Sequence, residues 1–235
     1  MCRRVCACGP AGQAASVNGR RLQVALVDYG MGNLASVAKA LERAGAQAER
    51  TESAQAVRRA GAVVLPGVGA FRDAAARLAQ RGLDEALRER IAAGVPFLGV
   101  CLGLQLLFER SSEGGDWRGL GVFDGGVERL ETQLKVPHIG WNELLWRGAG
   151  AGMSAGLPAP AHAYFVHSYA ARPSDPSIIA GVTDYGGEVV AAVARGAVWA
   201  MQFHPEKSSD VGLHILGNWV AMASGARPRP DPETG

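Results

Sequence analysis

The stretch PFLGVCLGLQLLF, residues 96–108, leaves a folded chain few choices. Its first half is a short apolar run that predicts a buried strand over residues 96–100. Its second half predicts a helix over residues 102–108 that begins at once. No residues remain for a loop, so Cys101 has to occupy a sharp strand-to-helix turn. Such an elbow crowds the backbone, and the positions two before and two after the turn residue tolerate little side chain. Gly99 and Gly103 meet that demand. The thiol then sits over the first N–H groups of a helix, whose partial positive charge favours thiolate over thiol. A lone cysteine in an apolar run is otherwise a structural residue. The paired glycines and the abrupt change of period favour a nucleophile.

A thiolate nucleophile needs a base, and the histidines are ranked by what can orient each imidazole. Only His204, in VWAMQFHPEKS over residues 198–208, has a carboxylate at i+2. In an extended segment residues two apart share a face. Glu206 can then accept the proton on one ring nitrogen and leave the other facing Cys101. Pro205 cannot donate to a sheet ladder, so the strand is expected to end there, at the sheet margin, where a reacting group is approachable.

These residues carry a resemblance. VCLGLQ at 100–105, HPE at 204–206 and LPGVG at 65–69 together resemble a class I, or triad, glutamine amidotransferase. Within that class, DYGMGN at 28–33, PHIGWN at 137–142, FVHSY at 165–169 and FHPEKS at 203–208 are similar to the glutaminase subunit of imidazole glycerol phosphate synthase. The resemblance covers roughly residues 22–223, with the motifs in the family's order. It implies a Cys101–His204–Glu206 triad that hydrolyses the side-chain amide of glutamine through a thioester. It implies no cofactor and no metal. The released ammonia is expected to pass to a separate (β/α)8 cyclase subunit, forming imidazole glycerol phosphate and an aminoimidazole carboxamide ribotide.

The resemblance also assigns the surroundings of the triad. The loop PGVG at the carboxyl end of a third parallel strand becomes the oxyanion loop, with the N–H groups of Val68 and Leu102 as donors and Gly67 and Gly69 beside the ligand. A peptide near Val68 is expected to turn to complete the hole. Gln105 and Glu113 would hold the amino-acid end of glutamine, and His167, Ser168 and Tyr169 would line it mainly through their backbone. Asn33, Ser36, Trp141 and Lys207 become partner-interface residues. Taken alone, Lys207 is an exposed charge pointing away from the face of His204 and Glu206.

The pattern between these motifs predicts an α/β fold with a mostly parallel sheet and helical crossovers, and the resemblance implies that it is a three-layer arrangement with an open, flavodoxin-like sheet flanked by helices. Strands are expected at 22–27, 47–50 and 62–65, and helices at 33–44, 54–60, 70–80, 83–93 and 210–223. From residue 121 to 202, short strands and Gly-rich turns predict added, partly antiparallel sheet laid on the parallel core. With 235 residues and a net charge of +2, the chain is sized for one such domain and carries neither a nucleic-acid footprint nor a membrane-surface patch.

The domain is expected at residues 22–224, between an amino-terminal extension (1–21) and a Pro-rich tail (225–235), both read as disordered. The extension holds Cys2, Cys6, Cys8, four arginines and no acid. Its apolar run is too short for a secretory signal, and no second cysteine cluster matches its three for a metal. Without an even cysteine framework, a reducing cytosolic compartment is expected. One rival comes from another class: GMGNLA at 30–35 after a strand, with Glu49 beyond it, mimics a dinucleotide-binding turn. A stand-alone cysteine hydrolase, or the glutaminase of another ammonia-channelling synthase, are the enzymatic rivals.

Overall fold

The computed structural model describes residues 21–226. The expected amino-terminal extension, up to residue 20, and the tail beyond residue 226 lie outside the described residues. In chain order the first half comprises β1 (Leu22–Val27), α1 (Leu34–Arg43), β2 (Ala46–Thr51), α2 (Ala54–Arg59), β3 (Val63–Gly67), α3 (Phe71–Gln80), α4 (Leu83–Ala92), β4 (Phe97–Cys101) and α5 (Leu102–Gln105). The second half comprises β5 (Phe108–Ser111), β6 (Trp117–Arg118), β7 (Phe123–Arg129), β8 (His138–Glu143), β9 (Leu145–Trp146), α6 (Ala151–Ser154), β10 (His162–His167), β11 (Tyr169–Pro173), β12 (Ile179–Asp184), β13 (Glu188–Arg195), β14 (Val198–Met201) and α7 (Ser209–Ala223).

The central sheet has the order β2-β1-β3-β4-β14-β13-β12-β9. Its first half is parallel, through β14, and β13, β12 and β9 extend it antiparallel. Strands buried on both faces read as continuous apolar runs, and β3 and β4 do so because helices cover both sides. Val64, Leu98 and Val100 point towards the core packed by α1 and α7, with Leu41, Ile215 and Trp219. Val63, Leu65 and Phe97 point the other way, into the core packed by α2, α3 and α4, with Val57, Phe71 and Leu87. The added sheet is two pieces, a β10-β8 pair and a β11-β7-β5-β6 sheet. No helix among the described residues is long and apolar enough to cross a membrane.

The helix expected over residues 102–108 is shorter. It ends at Gln105, and Phe108 starts a strand parallel to β7. The reason is a competing chain segment. Leu120 N–H donates to the Leu106 carbonyl at 2.7 Å, and Phe123 and Val122 N–H both donate to the Leu107 carbonyl, at 3.0 and 2.8 Å. Gly119 permits this approach, since a Cβ there would sit 2.2 Å from the Phe108 carbonyl oxygen. Carbonyls that a longer helix would have used are therefore taken by the neighbouring sheet.

Candidate active site

Cys101 ends β4 directly opposite Gly67 of β3 and takes φ 54° and ψ −108°. The elbow forces the contacts that its glycines relieve. A Cβ on Gly103 would lie 1.9 Å from the Leu65 carbonyl oxygen, and one on Gly99 would lie 2.9 Å from the Gly103 carbonyl oxygen. Because α5 is a single turn, its dipole is a smaller aid to the thiolate than a long helix would be. Other groups around the sulfur matter correspondingly more.

His204 follows β14, whose Met201 is in register with Val100 of β4, so the imidazole arrives at the same edge as the thiol. Its backbone is pinned twice. His204 N–H donates to the Tyr164 carbonyl at 3.0 Å, and Ser208 Oγ donates to the His204 carbonyl at 2.7 Å while accepting from Tyr164 N–H at 2.9 Å. Glu206 reaches the ring differently from the expectation. Residues 205–207 form a 3-10 turn instead of continuing an extended strand, and across that turn Glu206 Oε1 lies 2.8 Å from His204 Nδ1. The turn also overturns the expected direction of Lys207. It is exposed, yet its side chain borders the cavity that holds His204.

With Nδ1 committed to Glu206, His204 Nε2 is buried without a hydrogen-bond partner among the described residues and is the nitrogen available to Cys101. Burial disfavours charge on this ring, but the Cys101 sulfur and the Glu206 carboxylate outweigh it and raise its pKa to about 9. The imidazolium is the state of His204 that this electrostatic balance favours.

Cys101 and His204 open onto a cavity of about 340 Å³. Val68, Gly69, Leu102, Gln105, Glu113, His167, Ser168 and Tyr169 line it. Gly67 does not. A Cβ there would meet the Tyr29 hydroxyl at 2.2 Å, so its role is close packing under the loop. Gly69 holds φ +96°, a backbone region that favours glycine. Glu113 has a structural task as well: its Oε2 accepts the Phe71 N–H at 2.7 Å, capping α3, whose preceding Ala70 supplies no side-chain cap. Both protons of the Gln105 amide are used, towards the Tyr169 carbonyl and Gln202 Oε1, each at 3.0 Å, which leaves Gln105 Oε1 for a ligand.

Two features of this site escaped the sequence. Gln202, fully buried, donates from Nε2 to Cys101 Sγ at 3.7 Å. Its signal was a polar residue inside the apolar run preceding His204. The second is a buried histidine pair. His167 Nδ1–H donates to the Tyr169 carbonyl at 2.9 Å, so its Nε2 accepts from His138 Nδ1, 3.1 Å away. Burial lowers both pKa values to about 4, for His167 against the opposing pull of the Tyr169 carbonyl. The pair is neutral at physiological pH, and both ring nitrogens of His167 are engaged inside the protein.

Of the expected interface residues, Asn33 is exposed and caps α1 by accepting from Ser36 N–H at 3.4 Å. Trp141 is 54% exposed and meets Tyr164 edge-on, with ring centroids 6.2 Å apart. The loop before α1 lies over the loop that follows β3: a Cβ on Gly32 would come within 3.9 Å of Gly67 Cα, and Met31 Cε lies against Gly69. That placement disfavours the dinucleotide-binding reading. The cavity beside Glu49, about 310 Å³, is lined by residues such as Gln23, Thr51 and Arg59, and neither Gly30 nor Gly32 reaches it.

The model of the family described as glutamine amidotransferase class-I matches residues 25–222. The imidazole glycerol phosphate synthase subunit HisH of Rhodopirellula baltica is 51% identical over 82% of this chain and 94% of that protein. The subunit of the same name from Moorella thermoacetica is 49% identical over 83% and 93%. Among solved structures, a glutamine amidotransferase superposes with a TM-score of 0.68 at 22% identity, covering 86% of this chain and 99% of that one. The glutaminase domain of Trypanosoma brucei CTPS superposes with a TM-score of 0.62 at 15% identity, covering 91% and 98%. A nucleophile elbow, an oriented histidine and these likenesses converge: the chain belongs to the class I glutamine amidotransferases, and within them to the HisH family.

Proposed function

We infer that this chain is the glutaminase subunit of imidazole glycerol phosphate synthase. The observation that carries the chemistry is the convergence of Cys101, on its glycine-flanked elbow, with a buried His204 whose Nδ1 is held by Glu206. Cys101 Sγ attacks the side-chain amide carbon of glutamine, and the electron pair of the carbonyl moves to oxygen. The N–H groups of Leu102, at the start of α5, and of Val68 are the donors offered to that oxyanion. Collapse breaks the C–N bond, and the His204 imidazolium gives its proton to the departing ammonia. The neutral ring then takes a proton from water, whose oxygen attacks the thioester carbon. The C–S bond breaks, glutamate leaves and the thiolate and imidazolium are restored.

Glu206 keeps the productive ring tautomer throughout. We assign the substrate ammonium to the Oε1 of Gln105 and the carboxylate of Glu113, supported by the presence of both residues in the cavity lining. Ammonia then passes to the partner, a cyclase subunit that we assign a (β/α)8 barrel. It docks over the cavity mouth through Asn33, Ser36, Trp141 and Lys207. We place the protein in the cytoplasm, the compartment of a biosynthetic subunit such as those it resembles. The test is glutamine hydrolysis by the chain with and without a cyclase. Turnover that rises with the cyclase and yields imidazole glycerol phosphate supports the reading. Hydrolysis indifferent to any cyclase returns the chain to a stand-alone hydrolase.

A further inference from the structure

Gln202 follows β14 and is fully buried. Its Nε2 faces Cys101 Sγ at 3.7 Å and its Oε1 accepts from Gln105 Nε2 at 3.0 Å, while Gln105 Nε2 also donates to the Tyr169 carbonyl at 3.0 Å. The two ends of a carboxamide are distinguished by their partners, and here the partners admit one arrangement. A main-chain carbonyl only accepts, so Gln105 has to turn its NH2 towards Tyr169. The second proton of that NH2 reaches Gln202, which has to answer with its oxygen. The Gln202 NH2 is then left facing the sulfur. Reversing Gln202 alone sets two NH2 groups against each other. Reversing both amides sets Gln105 Oε1 against the Tyr169 carbonyl oxygen.

We propose that Gln202 is a catalytic residue whose side-chain N–H stabilises the Cys101 thiolate, and that Gln105 is a positioning residue that locks the orientation of Gln202. A neutral N–H donor favours the anionic form of its acceptor and delivers no proton of its own. It therefore serves the sulfur twice in a cycle: before attack, and when the C–S bond breaks and the electron pair returns to sulfur. These steps rest on the glutaminase reading; the donor's effect on the sulfur does not. The ionisable groups facing Cys101 are His204, with Glu206 behind it on the turn after β14, and Tyr29, from the loop after β1. His167 of β10, Glu113 and Lys207 border the same cavity. These groups shape the pH dependence of Cys101 reactivity, and Gln202 displaces it as a whole.

The test uses the full chain and iodoacetamide. The alkylation rate of Cys101 is followed on its own peptide by mass spectrometry, across the pH range in which cysteines titrate, alongside glutamine turnover and thermal stability. Gln202→Met keeps the side-chain size and removes the donor. It should move the alkylation midpoint up by about one pH unit and lower kcat by about 10-fold, with KM within about threefold. Gln105→Leu, which frees Gln202 to reverse, should give a smaller upward shift. A folded Gln202→Met with an unmoved midpoint overturns the proposal. So does a loss of kcat that tracks lost stability alone, the signature of a packing role. Gln202→Glu, which turns a carboxylate on the sulfur, supplies the opposite pole: a midpoint no higher than that of Gln202→Met contradicts an electrostatic role. If wild type with cyclase hydrolyses no glutamine while the midpoint still shifts, the glutaminase reading fails and the donor assignment stands.

Discussion

Cys101 adopts a positive φ that an L-residue keeps only where the surrounding fold fixes it, and the fixing comes from β3, β4 and the start of α5 acting together. Cys101→Ala should leave the fold intact and lower glutamine turnover by about 10⁴-fold or more, and a glutamine-analogue electrophile should label Cys101 in the wild type while sparing Cys2, Cys6 and Cys8. Near-normal turnover in the alanine variant, or label spread over the amino-terminal cysteines, would sink the nucleophile assignment. His204 adds a pH signature. Its pKa in the folded protein, about 9, stands above the ordinary value of 6.5, so the folded state holds a proton that the unfolded state releases. Its contribution to stability is then complete below about pH 6.5 and is lost as pH rises through about 9, with a slope of up to about 1.4 kcal/mol per pH unit. Urea unfolding at a series of pH values should show this decline. Cys101→Ala removes one of the two groups that hold the proton and should flatten it. An unchanged slope in that variant would mean that the sulfur is not what raises His204.

At the scale of elements, the elbow depends on how closely α5 crosses β3. A Cβ on Gly103 would meet the main-chain oxygen of Leu65, which cannot move without breaking the register of β3 with β4. Gly103→Ala is therefore expected to cost about 2–4 kcal/mol. Gly99→Ala, whose Cβ would lie 2.9 Å from the Gly103 carbonyl oxygen and 3.0 Å from Ala200 Cβ, should cost about half that. Denaturant midpoints decide it, and a Gly103→Ala protein within about 0.5 kcal/mol of wild type would refute the close-crossing argument. The parallel half of the sheet was legible because strands covered on both faces are unbroken apolar runs and their crossovers carry helical periodicity. β8 was not: Ile139 and Trp141 are exposed, so it lacks the apolar face that marks a half-buried strand. The early end of α5 was hidden because its cause lies at Gly119 and Leu120, beyond a polar loop. Cys101, His204 and Glu206 were legible because each carries its local reason within two residues. Gln202 and the His138–His167 pair were not, because their partners come from distant strands that only the fold brings together.

On the scale of the whole molecule, Lys207 at the cavity rim leads from the cavity to an aromatic surface. Lys207 Nζ lies 5.8 Å from the centre of the Tyr164 ring, and Tyr164 abuts Trp141. Ile139, on the same face of β8 as Trp141, is 58% exposed. The 3-10 turn that carries Lys207 also carries Glu206, and Lys207 N–H donates to the His204 carbonyl at 3.0 Å. If an acidic residue of a partner paired with Lys207, the pull would act on the segment that carries Glu206 and His204, while the loop around Val68 and Gly69 borders the same opening. Coupling between sites is a free energy, typically about 1–3 kcal/mol, and it multiplies stimulated turnover without altering basal chemistry. Lys207→Ala is expected to leave basal glutamine hydrolysis within about threefold and to cut the ligand-stimulated increase in the complex by about 5-fold or more. The measurement is turnover of wild type and variant with the cyclase, in the presence and absence of its nucleotide ligand. Equal fold-stimulation in the two proteins would reduce Lys207 to a solvated charge at the rim, and an equal loss of basal and stimulated rates would move it into the glutamine site.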